Sequence, residues 1–208
     1  MRVVGLLLAA GASRRMGRLK QVLPFGEAAV LEQGVANFRD AGVDTTIVVL
    51  GHAPDTIRAE LPAVFGSDDV VAAVNERHAE GMFTSVQCGI RAAEGLDADA
   101  VLLALVDQPF IPPSVYASVI GAHADGGALV TIPVYRGRRG HPVALSMDLR
   151  DQILAPDEPD ATLRDVVRAN ESTTRLVTVD ADEILRDMDR PDDYARELAR
   201  WLDRPERG

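Results

Sequence analysis

The stretch LAAGASRRMGRLK, Leu8–Lys20, decides how the rest of the chain is read. It closes an apolar run from Arg2 to Ala9, the pattern of a strand buried on both faces. Two glycines, three arginines and a lysine then follow. Glycine lets backbone N–H groups come close to an anion. Arg15 adds a planar fork of donors and Lys20 a compact point charge. The spacing of Gly11 and Gly17 fits neither GxGxxG nor GxxxxGK, so a dinucleotide fingerprint and a Walker loop are both unsupported. The loop chemistry points to an anion; the plain alternative is a surface loop with incidental bases.

Outward from this loop, strands and helices alternate. Residues 30–41 carry apolar residues at helical spacing and end before Gly42. Buried strands are expected over 45–51, 70–75 and 100–107, with helices over 54–61, 82–93 and 113–123. Residues 128–135 and 141–146 read as two further strands joined by the basic turn RGRRG. Helices near 149–154 and 163–169, a strand over 174–179 and an amphipathic helix over 192–202 complete the series. Such alternation predicts right-handed βαβ units around a mostly parallel sheet, an α/β fold of three layers. Residues 1–208 are read as a single domain. Ligands bind such sheets at the carboxyl ends of the strands. The opening loop, NERHAEGM, VDQPF and RGRRGHP all fall there.

Composition narrows the classes. The chain has 208 residues, with 32 acids against 22 Lys and Arg, a net charge of -10. A large nucleic-acid footprint is not expected from an acidic surplus. One cysteine, Cys88, excludes an internal disulfide and a thiolate zinc cluster. The first apolar run is too short for a membrane helix, which needs about 20 residues. No membrane association is expected, and the localisation expected is cytoplasmic.

Five motifs in order resemble one family. LAAGASRRMGRLK is similar to the LAAGxSxRMGxxK signature of the molybdenum cofactor cytidylyltransferases. NERHAEGMFTSVQCG, VDQPF, RGHPVALS and DMDRPDDY resemble that family's later motifs. The resemblance implies a Rossmann-like, glycosyltransferase-A-like nucleotidyltransferase fold. It further implies a loop around a nucleoside triphosphate. Backbone of Ala9, Ala10, Gly11, Ala12 and Ser13 would face base and phosphates, while Arg15 and Lys20 neutralise the α-phosphate and the leaving pyrophosphate. The double alanine Ala9-Ala10 is associated with cytidine, so CTP is the co-substrate implied. Arg190 stands where the family usually has threonine.

Asp107 ends the most apolar strand. The family places Mg²⁺, or Mn²⁺ in its stead, on this aspartate; the alternative is a turn or helix cap. Asp189 is the second metal ligand implied, with Asp187 as runner-up; capping of the last helix is the alternative. Asn75, Gly81, Met82 and Ser85 are expected near the nucleotide. Ser85 can hydrogen-bond a base edge, and Met82 can instead pack in the core. Arg139 and His141 are candidates for a phosphorylated pterin acceptor. His52 and His78 are expected to face solvent, and Cys88 to be a buried small apolar residue.

The resemblance thus implies transfer of CMP from CTP to a molybdopterin-type acceptor, in the service of an apo-molybdenum hydroxylase. A guanylyltransferase, a cofactor carrier without turnover, and an oxidoreductase relative of the wider family are the rivals. The missing dinucleotide fingerprint speaks against the last.

Overall fold

Six successive apolar residues make Val3–Leu8 a strand, β1, buried along nearly its whole length. The computed structural model describes residues 1–156 and 160–204. After the opening loop, Pro24–Phe25 (β2) and Ala28–Ala29 (β3) form a small hairpin that the sequence pattern does not announce. Val30–Asp40 follows as α1, and Thr46–Leu50 as β4. The helix expected over 54–61 is present as Pro54–Glu60 (α2), and Pro62 opens a further short helix, Pro62–Phe65 (α3). Proline cannot donate the amide an unbroken helix needs, yet it suits a first turn.

Val70–Val74 is β5, Met82–Glu94 is α4, Ala100–Leu105 is β6 and Pro113–Ala124 is α5. Val130–Tyr135 (β7), Arg138–Arg139 (β8) and Val143–Ser146 (β9) come next. Arg150–Leu154 (α6), Leu163–Ala169 (α7), Thr174–Thr178 (β10) and Pro191–Leu202 (α8) close the chain.

The sheet runs β10-β7-β9-β6-β1-β4-β5, with β8 paired to β7. β1 lies parallel to β4 and β6, so that Leu6 stands opposite both Ile47 and Leu103. β9 is antiparallel to both its neighbours, β6 and β7. The mostly parallel sheet expected from the sequence is therefore present with an inserted antiparallel strand. The fold is α/β with helices on both faces. Val30, Phe38, Ile57, Tyr116 and Val119 build the core on one face; Val86, Ile90, Ile153 and Val166 build it on the other. Among the described residues no helix is long and apolar enough to cross a membrane.

Candidate active site

The loop after β1 is folded back on itself by two side chains. Gln21, fully buried, donates from Nε2 to the carbonyls of Ala9 (2.7 Å) and Gly11 (3.0 Å). Ser13 adopts the left-handed region at φ 50° and its Oγ accepts from the Lys20 amide at 3.1 Å. Ala9 and Ala10 are buried. These contacts carry Lys20 inward, where its side chain is 11 % exposed.

Lys20 lands between two carboxylates. Its Nζ lies 3.2 Å from Asp107 Oδ2 and 3.2 Å from Asp189 Oδ1. Arg15, exposed for most of its length, donates from Nη2 to Asp189 Oδ2 at 2.7 Å. Thus three residues 87 and 169 positions apart in sequence meet at one point. Neither aspartate caps a helix. The first residue of α8 is preceded by Arg190, whose amide is taken by Asp193 at 3.1 Å, and α5 begins after Pro112. Helix capping is therefore realised at neither aspartate, while Asp107 does sit in a turn.

The segment 184–189 is laid across the strand ends by backbone contacts. Met188 N donates to Asp107 O at 3.1 Å, and buried Gln108 donates from Nε2 to Arg186 O at 2.5 Å. Gly140 approaches Ile184 so closely that a Cβ there would overlap the Ile184 carbonyl. Arg186 stacks over the Phe110 ring at 5.3 Å and forms an ion pair with Glu197 of α8 at 3.1 Å. Glu197 is 1 % exposed and also meets Arg196 and Arg200. This network holds the Asp189 segment against the Asp107 turn.

Burial pushes the Asp187 carboxyl up, with Asp189, Asp107 and Asp193 adding to the rise and Lys20 opposing it. Crowded carboxylates of this kind favour a bound cation. Among the described residues no three His, Cys, Asp or Glu form a ready metal cage. Mg²⁺, however, is commonly held by one or two carboxylates together with substrate phosphates. Asp107 Oδ1 is buried with no hydrogen-bond partner. An oxygen in that state, beside Asp189, fits a hard divalent cation.

A cleft of about 270 Å³ opens from this charged point. Lys20 and Asp107 line it together with apolar Leu8, Ala10, Leu105 and Val106 and with His78, Gly81, Met82 and Ser85. Gly11 also lines it. Met82 is exposed, so it is not a core residue.

Asn75 is buried and works behind this surface. Its Nδ2 donates to Thr84 Oγ1 (2.8 Å) and Ser85 Oγ (2.9 Å), and its Oδ1 accepts from Arg77 N (3.0 Å). Arg139 pairs with Glu171 at the surface, and Arg136 stacks on Tyr135 at 5.1 Å. The basic hairpin is thus engaged with its own surroundings. His141 is different: burial drives its imidazole down to about 4, against the pull of nearby Asp107. It stands beside the carboxylates as a neutral ring.

Two expectations need correction. His78 does not face solvent; it lines the cleft, drawn there by a hydrogen bond of 3.1 Å between Nδ1 and Asn75 O. Cys88 is only half-buried, because it sits toward the rim of α4's apolar face. Burial still raises its thiol, which makes it a poor nucleophile. Gln21, His78 and Glu197 were missed by reasoning from motifs. Gln21 left a trace, as a polar residue beside the apolar VLPF.

Residues 5–175 match the model of the MobA-like NTP transferase domain. The chain belongs to that family. Among MobA-like proteins it is 27% identical over 197 residues to the nicotine blue oxidoreductase of Paenarthrobacter nicotinovorans, covering 90% of this chain and 92% of that one. It is 24% identical to the molybdenum cofactor cytidylyltransferase of Escherichia coli K12, over 95% and 96% of the two chains. The crystal structure of Rv0371c from Mycobacterium tuberculosis H37Rv superposes with a TM-score of 0.80 at 29% identity, covering 96% of this chain and 98% of that one. A manganese complex of the same mycobacterial protein superposes with a TM-score of 0.74 at 28% identity. The MobA-like nucleotidyltransferase fold expected from the sequence is present.

Proposed function

We propose that residues 1–208 act as one divalent-metal-dependent cytidylyltransferase domain, transferring CMP from CTP to a molybdopterin-type cofactor with release of pyrophosphate. The observation that carries the reading is the meeting of Asp107 and Asp189 at Lys20, in a cleft that Lys20 and Asp107 line. A pure carrier has no need for two carboxylates and a buried ammonium in one place. In the reaction an acceptor phosphate oxygen forms a bond to the α-phosphorus of CTP. The bond to the bridging oxygen breaks, and pyrophosphate leaves with the electron pair. No side chain has to remove a proton, because a phosphate nucleophile is already ionised.

Asp107 and Asp189 would hold Mg²⁺ or Mn²⁺, which when bound supplies positive charge against the transferring phosphoryl group. Lys20 and Arg15 then turn from the carboxylates toward the phosphates. Ala10, Leu8 and Leu105 hold the ring of the nucleotide, and the Ser85 hydroxyl meets its edge. His141, kept neutral, lies on the acceptor side. The protein supplies position and charge rather than covalent chemistry. A molybdenum hydroxylase in its apo form is the client this reading implies.

The test is pyrophosphate release with molybdopterin and each of CTP, GTP and ATP. CTP should be the preferred donor, and Asp107→Ala should lower the rate by at least about a hundredfold with the fold unchanged. Release from GTP in preference to CTP would replace the cytidine assignment. Tight cofactor binding without pyrophosphate would leave a carrier.

A further inference from the structure

The cleft holds two further polar groups whose hydrogen-bonding sense is fixed by their neighbours. His78 Nδ1 lies 3.1 Å from the carbonyl oxygen of Asn75. A carbonyl only accepts, so Nδ1 carries the hydrogen and donates. In a neutral imidazole that makes Nε2 an acceptor. Ser85 Oγ accepts from Asn75 Nδ2 at 2.9 Å, which leaves its own hydrogen to be donated. Asn75 thus sets one acceptor and one donor in the same cleft.

His78 is also packed in place. A methyl group placed on Gly51 would sit 2.5 Å from His78 Cβ and 2.9 Å from Ala10 Cβ. His78 and Ala10 therefore close over Gly51 with no space for one more carbon. Behind His78 stands His52, with ring centroids 6.3 Å apart. The side chain has little freedom to swing back.

We infer that His78 selects the base, accepting a hydrogen bond from the exocyclic amine of cytosine. The inference rests on the proposed nucleotidyl transfer and names the residue that gives it its base. Cytosine offers an amine donor beside ring acceptors. His78 Nε2 meets the amine, and the Ser85 hydroxyl meets an acceptor. Uracil carries a carbonyl in place of the amine, and its oxygen faces the Nε2 lone pair. A site built for a donor rejects the analogue that lacks it more strongly than an apolar pocket can.

Two substitutions test this. His78→Leu keeps most of the bulk and removes the acceptor; His78→Ala removes the acceptor and the ring together. Calorimetric titration with CTP and UTP in the presence of Mg²⁺, without acceptor, reads them directly. The native protein should bind CTP at least about tenfold more tightly than UTP, the size of one buried hydrogen bond. His78→Leu and His78→Ala should both bring CTP and UTP within about threefold of each other. The inference is overturned if His78→Leu keeps the native preference, or if the native protein binds CTP and UTP alike. It is also overturned if both variants, folded by circular dichroism, bind no nucleotide, because His78 would then only support the cleft. Failure of the native protein to bind any nucleotide is a separate result, and it removes the proposed transfer itself.

Discussion

Lys20 Nζ and Asp107 Oδ2 lie 3.2 Å apart, with the same ammonium equally close to Asp189 Oδ1. The lysine occupies the ground between the two carboxylates proposed to hold the cation. Without nucleotide it is a competitor for that cation; with nucleotide it has phosphates to move to. Lys20→Met should therefore bind Mn²⁺ more tightly than the native protein when nucleotide is left out, by at least about fivefold. The same variant should lose about a hundredfold in kcat, with a smaller change in the KM for CTP, because charge builds toward pyrophosphate in the transition state. Mn²⁺ binding followed by electron paramagnetic resonance, and steady-state kinetics, check the two halves. Unchanged Mn²⁺ affinity would remove the competition.

Gly140 sets the height of the Asp187–Asp189 segment. A Cβ there meets the backbone carbonyl of Ile184, which cannot rotate aside as a side chain would. Gly140→Ala should cost about 1–3 kcal/mol of stability. It should also shift the carboxylates apart, and a displacement near 1 Å is enough to lower turnover about a hundredfold. Denaturant melts beside turnover measured well below the melting range distinguish misplacement from unfolding. A variant destabilised but fully active would show that the segment tolerates the shift.

Glu197 is 1 % exposed and faced by Arg186, Arg196 and Arg200. Its removal takes away the most buried partner of Arg186, leaving Glu183 and Asp182 at 3.4 and 3.5 Å. Breaking a buried pair from one side costs about 3–5 kcal/mol, a fall in Tm of roughly 10 °C for a chain of this size. The exposed pair Arg150–Asp151 serves as control, because surface pairs contribute between 0 and about 1 kcal/mol. Thermal melts of Glu197→Ala and Asp151→Ala make the comparison, and equal shifts would contradict it.

His123 is buried beside Thr131, with Nδ1 and Oγ1 2.9 Å apart. Burial, with Arg175 adding to it, holds its ring below the ordinary histidine value. The folded state therefore refuses a proton that the unfolded chain takes up near pH ~6.5. Stability from this site is complete above that pH and is lost as pH falls below it. His123→Gln should flatten the fall in stability between neutral pH and about pH 5. Urea melts at both pH values test this, and parallel losses in the two proteins would reject it.

Most strands and helices were legible because each carries its own periodicity. The run of Val3–Leu8 and the spacing within Val30–Asp40 need no partner to be read. The opening loop and the aspartates were legible as motifs. What escaped depends on pairing across the chain. The antiparallel return of β9 on β7 was legible in the basic turn RGRRG, but its insertion between β7 and β6 was not, because that depends on pairing across the chain. His78 was misjudged because its place is set by Asn75 O, a backbone atom that any residue would supply. Glu197 reads as one more acid on an amphipathic helix until Arg186, eleven residues earlier, is folded against it.

The place of β9 bears on how the chain is made. By the end of β6 the growing polypeptide already owns four parallel strands, β5-β4-β1-β6. The outer edge of β6 then has no neighbour until Val143–Ser146 emerges, some forty residues later. During that interval a row of apolar, unpaired backbone stands open, the kind of edge that recruits other chains. A ribosome stalled between the two strands would release a sticky half-sheet rather than a smaller working protein, and holdase chaperones would find their target along Ala100–Leu105.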